Sequence, residues 1–480
     1  MRREIIADIS PGQVRAAVME DGKLVEYYVE RPGSERPAGN IYKGRVVNVL
    51  PGMDAAFVDI GLEKNAFLYV GDVALNRDDF EFKSQGNAQL PDIRDVVKQG
   101  QEIIVQVVKD PLGGKGARIT THVTLPGRML VLMPTMNYIG VSRRIEDEDM
   151  RESLKSAVDS MRPPGMGVIV RTVARETTAD AFKTELESLE ALWRTIERKA
   201  AVSNAPCMIH SDSDLLPRIV RDLCSDETER FIINDRDEYE KASAIARALA
   251  PGWKGSMEFF DGDIFDEYEM ESKVDKTFAR KIWLKNGAYL VIDHTEALTV
   301  IDVNTGKFTG TDNLQDTILR TNLQAAAEIA RQVRLRDIGG IIVIDFIDML
   351  EDKNRDIVVE ELKKELEKDR TRTNVIGMTG LGLVEMTRKK IRQRVATLMH
   401  KTCPYCNGSG RIYNEETVAQ KILKELRRQT ANYTAESYIL KVHSDVADYL
   451  EKENLMPDNV KIYRSRSAHH EYFSLSPEVE

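Results

Sequence analysis

Two apolar runs in this chain end in a carboxylate. "LTVIDVNTGKFTG", Leu298 to Gly310, carries Asp302 with Asn304 two residues on, and "GGIIVIDFIDM", Gly339 to Met349, carries Asp345. Each places an acid where burial of a strand makes charge costly. In an extended chain side chains alternate between faces, so Val300, Asp302 and Asn304 share one face of the first run. Ile341, Val343 and Asp345 share a face of the second. Between them "DNLQDTILRTNLQAAAEIARQVRLRD" has helical spacing: Asp312 or Asn313 can cap it, and Leu314, Ile318, Ala325, Ile329 and Val333 form an apolar stripe. Strand, helix, strand is a βαβ unit, whose strands run parallel. Both aspartates then lie at C-terminal strand ends, the edge where open α/β sheets place their sites. Neighbouring strands are about 4.8 Å apart, and carboxylates that close repel unless a cation lies between them. Magnesium suits the pair, since it takes oxygen ligands, commonly one or two carboxylates, and retains several waters. Asn304 is placed to orient a water or one of the acids. The alternative is that each aspartate ends a buried salt bridge, to Lys307 or Arg331. Asp348 has the weaker claim, because it falls on the opposite face and can cap the next helix.

A second chemical signal is "TCPYCNGSGRI", with the C-x-x-C spacing and trailing glycines of a zinc knuckle. Structural zinc is almost always four-coordinate, and Cys403 and Cys406 supply two thiolates. Cys207 and Cys224 are far apart and isolated, and are expected in the core; His400 does not complete a set. A second subunit donating the same pair across a two-fold axis solves the count, which predicts a zinc-linked homodimer. A surface turn with free thiols, or a redox pair, is the alternative.

The elements that must position these groups follow from pattern. At 480 residues, 42% of them hydrophobic, the chain is long enough for several domains and outside the disordered range. No apolar run approaches the roughly 18 residues that cross a membrane, and the N-terminus lacks a signal peptide, so a cytoplasmic location is expected. Residues 3–30 alternate around "SPGQ" and "EDGK" as a hairpin or meander. From Ile41 short strands broken by "LPGM" and "IGLEKN" suggest a small closed barrel, with "QEIIVQVVKD" as its next strand. Residues 126–209 and 213–280 are mixed α/β. "GAYLVIDH" and "EALTVIDVN" form a hairpin leading into the βαβ unit.

Net charge is −10, so any nucleic-acid contact depends on local basic patches. The 39–125 barrel looks like an S1-type OB fold. Phe57, and Phe67 with Tyr69 on one face of "NAFLYV", offer stacking platforms, although aromatics at period two commonly fill a barrel core. Lys43, Arg45 and Lys115 are candidate phosphate contacts, Lys115 lying in "GGKG" where backbone can approach a ligand. "MTRKKIRQRVATLMHKT", Met386 to Thr402, contains no acid and carries Arg388 and Lys389 among six basic residues named Arg or Lys. It is a candidate phosphate track or a solvated helix face.

Together "LTVIDVN", "TNLQAAAEIARQVRLRDIGGIIVIDFIDM", "GLVEMTRKK" and "CPYCNGSG" closely resemble the RNase E/G family of bacterial endoribonucleases. The resemblance covers roughly the first 410 residues; from about Ile412 the match is poor. It implies a multidomain α/β plus all-β fold: an RNase H-like domain in two parts (1–38 and 213–279), the S1-type OB domain (39–125), a 5′-phosphate sensor (126–212), a DNase I-like catalytic domain (280–400), a zinc-link (401–412) and a small C-terminal domain (413–480). Carried over, Asp302 and Asp345 hold the catalytic magnesium with Asn304 as helper, and Cys403 and Cys406 hold an inter-subunit zinc. The partners implied are single-stranded RNA and a second subunit, with homotetramers of paired dimers also known in the family. The family match also favours Phe57, Phe67 and Lys115 for RNA, and Gly127, Val131, Arg143, Arg171 and Thr172 for a pocket that senses a 5′-monophosphate. From the residues alone Arg171 is an ordinary surface side chain. The function implied is magnesium-dependent cleavage of single-stranded RNA, in ribosomal RNA precursor processing and mRNA decay, leaving 5′-phosphate and 3′-hydroxyl ends. Ending at Glu480 without a long disordered scaffold, the chain resembles the shorter members. A non-catalytic RNA-binding module and a zinc-organised scaffold are the rival readings.

Overall fold

The computed structural model describes residues 2–31, 37–73, 91–111, 115–142, 144–145, 147–176, 179–212, 214–225, 227–250, 253–306, 314–390, 394–432 and 435–478. Arg143, Lys307 and the expected helix caps Asp312 and Asn313 lie outside them. The chain forms two compact units, Met1–Leu398 and Met399–Glu480.

In the first unit, strands Arg3–Ser10, Gln13–Glu20 and Lys23–Glu30 make the expected antiparallel meander. Strands Thr228–Ile233 and Ser256–Phe259 extend its other edge in parallel. Distant stretches of chain therefore share one sheet, and the barrel and the segment after it are inserted between them. The barrel closes because strand Ile41–Leu50 pairs with both Ala55–Asp59 and Glu102–Lys109, with Ala66–Tyr69 and Arg118–Thr120 completing the ring. Val46, Val58, Leu68, Val105 and Ile119 fill it. A four-stranded sheet follows, in the order Ile139–Val141, Gly167–Val170, Leu130–Met133, Leu125–Pro126. Phe182, Leu186 and Trp193 of helix Ala179–Val202 belong to the core built on it.

The carboxylate runs lie in a six-stranded sheet ordered Lys281–Trp283, Tyr289–His294, Leu298–Asn304, Gly340–Asp345, Leu383–Arg388, Thr373–Met378. Helix Leu314–Leu335 links the two runs and helix Asp352–Leu366 follows them. Ile329, Val333 and Leu362 of these helices join Ile301, Val303, Ile342 and Ile344 of the strands in one core. The opposite sheet face carries Val300, Asp302 and Asn304, half-buried, and Ile341 and Asp345, exposed. The acids are thus on the open face, and their desolvation is smaller than a strand buried on both sides would impose.

A buried ionic network ties the N-terminal meander to this domain. Arg334 donates to Glu20 and Glu26, each at 3.0 Å; Arg3 lies 2.9 Å from Glu20, and Arg370 3.0 Å from Glu26. In the second unit, strand Tyr438–His443 is central, parallel to Val460–Ser465 and antiparallel to Phe473–Pro477. Helices Glu415–Asn432 and Ser444–Lys452 bury Val418, Ile422, Val446 and Leu450 with Leu440 and Val442. Among the described residues no helix is long and apolar enough to cross a membrane.

Candidate catalytic site and nucleic-acid interface

The two carboxylate strands are parallel neighbours, and their register sets Asp302 directly beside Asp345. Asn304 Nδ2 donates to Asp302 Oδ2 at 2.7 Å, which fixes one carboxylate oxygen. Among the described residues neither aspartate has a salt bridge. Arg331, one of the alternative partners, is instead paired with Glu328 and donates to Leu24 O at 2.6 Å. Desolvation, and then the charges of Asp302 and Asp348, push the Asp345 carboxyl above the usual aspartate range. Asp348 is therefore electrically part of the site, although it stands in the loop after the strand. Clustered acids whose mutual repulsion no described cation offsets, with oxygens on an open sheet face, fit a hard divalent ion.

This repulsion has a measurable sign. Asp345 holds its proton more tightly folded than unfolded, so in metal-free protein stability falls as pH rises from the ordinary aspartate pKa through the raised one. Asp345→Asn is therefore expected to raise the thermal midpoint in chelator at neutral pH. Added magnesium should raise the midpoint of the native chain and leave that of the variant unmoved, as read by differential scanning fluorimetry.

Of the barrel aromatics, Tyr42 is buried in the core and Tyr69 packs at its edge, whereas Phe57 and Phe67 stand outside it. Ala56, Val58, Ala66 and Leu68 point inward, while Phe57 and Phe67 are half-buried on the outer face. Phe57 and Phe67 are cross-strand partners, their ring centroids 6.0 Å apart and edge-to-face. Lys115 is exposed, two residues before Ala117, whose carbonyl accepts from Phe67 N at 2.7 Å. The adjacent glycine serves an internal contact and not a ligand: a Cβ on Gly116 would stand 2.0 Å from Asn65 O. Lys43 and Arg45 both pair with Glu102, at 3.0 and 2.9 Å, so one carboxylate is shared between two cations and the group keeps one positive charge.

Four of the five expected sensor residues are described; Val131 lies in the four-stranded sheet, and Gly127, Arg171 and Thr172 in the segments that follow its strands. Arg171 follows strand Gly167–Val170 and donates to Gly127 O at 2.6 Å. Val131 lies on the neighbouring strand, opposite Ile169. Thr172 Oγ1 is 3.0 Å from Ser142 Oγ. Two acids that sequence reasoning missed attend this group. Asp222 pairs with Arg171 at 3.0 Å. Glu185 accepts from the backbone N–H groups of Arg128, Met129 and Leu130, a nest of the kind that binds anions. Burial holds the Glu185 carboxyl above its usual range despite those bonds.

Arg388 needs a correction. The basic run is not one helix: Arg388 ends strand Leu383–Arg388, and a short helix begins only at Val395. Strand alternation sends Arg388 inward with Val384 and Met386, where it pairs with Asp337 at 2.6 Å and Asp369 at 2.7 Å. It is a buried ionic anchor and not a phosphate contact. Lys389 is exposed.

In the second unit, Cys403 is exposed and Cys406 half-buried, in a turn closed by Asn407 at φ +49°, Gly408 at +84° and Gly410 at +67°. Backbone N–H groups of Cys406 and Tyr405, and then the Cys406 thiol, hold the Cys403 thiol below its usual range. Thiolate-stabilising N–H groups in a C-x-x-C turn fit a soft cation. Cys224 is buried, with its thiol pushed up to about 12 by desolvation, as an inert core residue should be; Cys207 is half-buried against a core.

Comparison with known proteins covers the greater part of the chain. Residues 124–391, which include Asp302, Asn304 and Asp345, match the "Ribonuclease E/G family". Residues 402–455 match the "RNase E/G, Thioredoxin-like domain", which corrects the expectation that resemblance fades from Ile412. The chain is 40% identical over 455 residues to "Ribonuclease G" of Escherichia coli (strain K12), covering 94% of this chain and 93% of that protein. It is 39% identical over 460 residues to "Ribonuclease G" of Haemophilus influenzae, covering 95% and 94%. Identity to "Ribonuclease E" of Escherichia coli (strain K12) is 35% over 458 residues, 94% of this chain and 43% of the relative. The chain belongs to the ribonuclease E/G family and is an endoribonuclease.

Proposed function

We propose that the protein cuts single-stranded RNA with magnesium held by Asp302 and Asp345, leaving 5′-phosphate and 3′-hydroxyl ends, and works faster on RNA that carries a 5′-monophosphate. The in-register pairing of Asp302 with Asp345 carries this reading. When bound, magnesium would acidify water and stabilise charge developing on the phosphate. Asn304 keeps one Asp302 oxygen occupied, so the carboxylate presents a single orientation. Water attacks phosphorus in line and displaces the 3′ oxygen. Phe57 and Phe67 stack bases of the strand on the outer face of the S1-type barrel, a contribution of about 1–3 kcal/mol per base, with Lys115 and Lys389 meeting phosphates.

On this reading residues 126–212 are the sensor. A 5′-monophosphate competes with Asp222 for the Arg171 guanidinium, while Thr172, Gly127 and Val131 frame the pocket. Arg143 completes the same proposal. Residues 1–38 with 213–279 form the RNase H-like domain and 280–400 the DNase I-like one. Ribosomal RNA precursors and messenger RNA in the cytoplasm are the substrates that family membership favours.

The test is cleavage of matched 5′-phosphorylated and 5′-hydroxyl oligoribonucleotides with and without magnesium. Cleavage should require the metal, run faster on the phosphorylated substrate and yield 5′-phosphate and 3′-hydroxyl termini. Cyclic phosphate ends, or full activity in chelator, overturn the reading.

The cysteine turn supports a zinc shared by two subunits, and hence a homodimer that can pair into a homotetramer. Cys403→Ser should convert the zinc-loaded dimer to monomers in sedimentation velocity, and a zinc chelator should do the same to the native chain. A dimer that persists in both would remove zinc from the interface.

A further inference from the structure

The C-terminal unit holds a second group of metal-type donors that RNA cleavage does not use. His443 ends strand Tyr438–His443 and caps helix Ser444–Lys452, Asp445 stands in that helix's first turn, and His470 lies in the turn before strand Phe473–Pro477. One donor atom from each lies within 4.8 Å of the other two. Tetrahedral bonds of about 2.0–2.2 Å set ligands roughly 3.3–3.6 Å apart, so closure on an ion draws the three donors together, with the exposed Asp445 free to rotate.

His470 is the informative member. Its side chain is 7% exposed and its Nε2 lies 3.2 Å from Glu415 Oε1. Its Nδ1 is buried with no hydrogen-bond partner. A carboxylate that accepts from Nε2–H selects the tautomer with a lone pair on Nδ1, the arrangement found behind metal-bound histidines. Most buried side-chain nitrogens have a hydrogen-bond partner, and this one is among the few described that do not. The His443 ring is 5.3 Å away, centroid to centroid. Its Nδ1 accepts from Asp445 N at 3.2 Å and stands 3.6 Å from Asp445 Oδ2, so in the metal-free chain its lone pair caps the helix, and an ion bound there takes it over from that N–H.

We propose that His443, Asp445 and His470 form a divalent transition-metal site of the zinc class, distinct from the Cys403–Cys406 pair. Two imidazoles and one carboxylate favour zinc, cobalt, nickel or iron over magnesium or calcium. The site adjoins the cysteine turn: the Tyr405 ring stacks on His469 at 4.3 Å, and its hydroxyl accepts from His470 N at 3.0 Å. An ion here pins the His469–His470 turn on which Tyr405 rests.

The experiment uses the full chain carrying Cys403→Ser and Cys406→Ser, stripped of metal and kept in excess magnesium to occupy the aspartate pair. It is titrated with cobalt(II) by absorption and with zinc by calorimetry. One ion per chain is expected, with visible d–d bands and no sulfur-to-cobalt charge transfer. Asp445→Ala, at an exposed position that the fold tolerates, should weaken binding roughly tenfold or more, and His470→Asn should abolish it. Absence of a saturable equivalent in the cysteine-free chain, or unchanged affinity in Asp445→Ala, overturns the site.

Discussion

Asp302→Asn is expected to bind a short single-stranded RNA with a Kd within about twofold of native, since on the reading proposed above its bases stack on the barrel, and to cleave it about a hundred- to a thousandfold more slowly, the scale on which loss of one preorganised electrostatic contact acts. The substitution conserves shape. An amide oxygen at position 302 can still accept from Asn304 Nδ2, so the strand end keeps its geometry while losing one charge. Losing that charge also removes part of the repulsion that holds the Asp345 carboxyl high, so Asp345 becomes a more ordinary acid with no partner to share an ion. Binding and single-turnover cleavage measured on the same oligonucleotide separate the two effects. Cleavage at the native rate would detach the chemistry from this pair, and the cleavage site of this endoribonuclease would then have to be sought elsewhere in the chain.

How far the sequence foretold this site depends on the period of each element. The Asp302 strand alternates half-buried and buried along its whole length, so period-two reading put Asp302 and Asn304 on one face correctly. Parallel pairing followed from the helix between the strands, and register then brought the acids together. Asp348 ranks below the pair because alternation puts it on the opposite face, but it lies past the strand end, where alternation says nothing about direction. In the barrel both faces are apolar: Ala66 and Leu68 face in, Phe67 and Tyr69 face out, and hydrophobicity alone does not say which pair is the core. Asp222 beside Arg171, and Glu185 in its nest, come from other elements and leave no mark near the residues they touch. His443 and His470 meet for the same reason, through a strand order that the sequence does not display.

Arg388→Ala is expected to lower the unfolding midpoint of the 1–398 unit sharply. The side chain is 3% exposed, and its guanidinium also donates to Thr371 Oγ1 at 3.1 Å and Ile338 O at 3.2 Å. It binds the loop bearing Asp337, itself at φ +50°, to the segment bearing Asp369. Deleting it takes the guanidinium away from two buried carboxylates, and removal of one partner from a buried pair costs about 3–5 kcal/mol. That is a large share of the roughly 5–15 kcal/mol that holds a typical domain folded. Arg388→Lys should recover only part of the loss, because a point charge on a flexible stem does not span both acids as a planar fork does. The signal was present in "LVEMTR", where alternation aligns Val384, Met386 and Arg388, but the clustering of basic residues suggested a phosphate track. Salt dependence separates the two roles. Lys389→Ala should reduce the slope of RNA affinity against salt by about one phosphate contact. Arg388→Ala should leave that slope unchanged in whatever fraction stays folded. A midpoint unmoved by Arg388→Ala, together with a reduced slope, would return this arginine to the RNA surface.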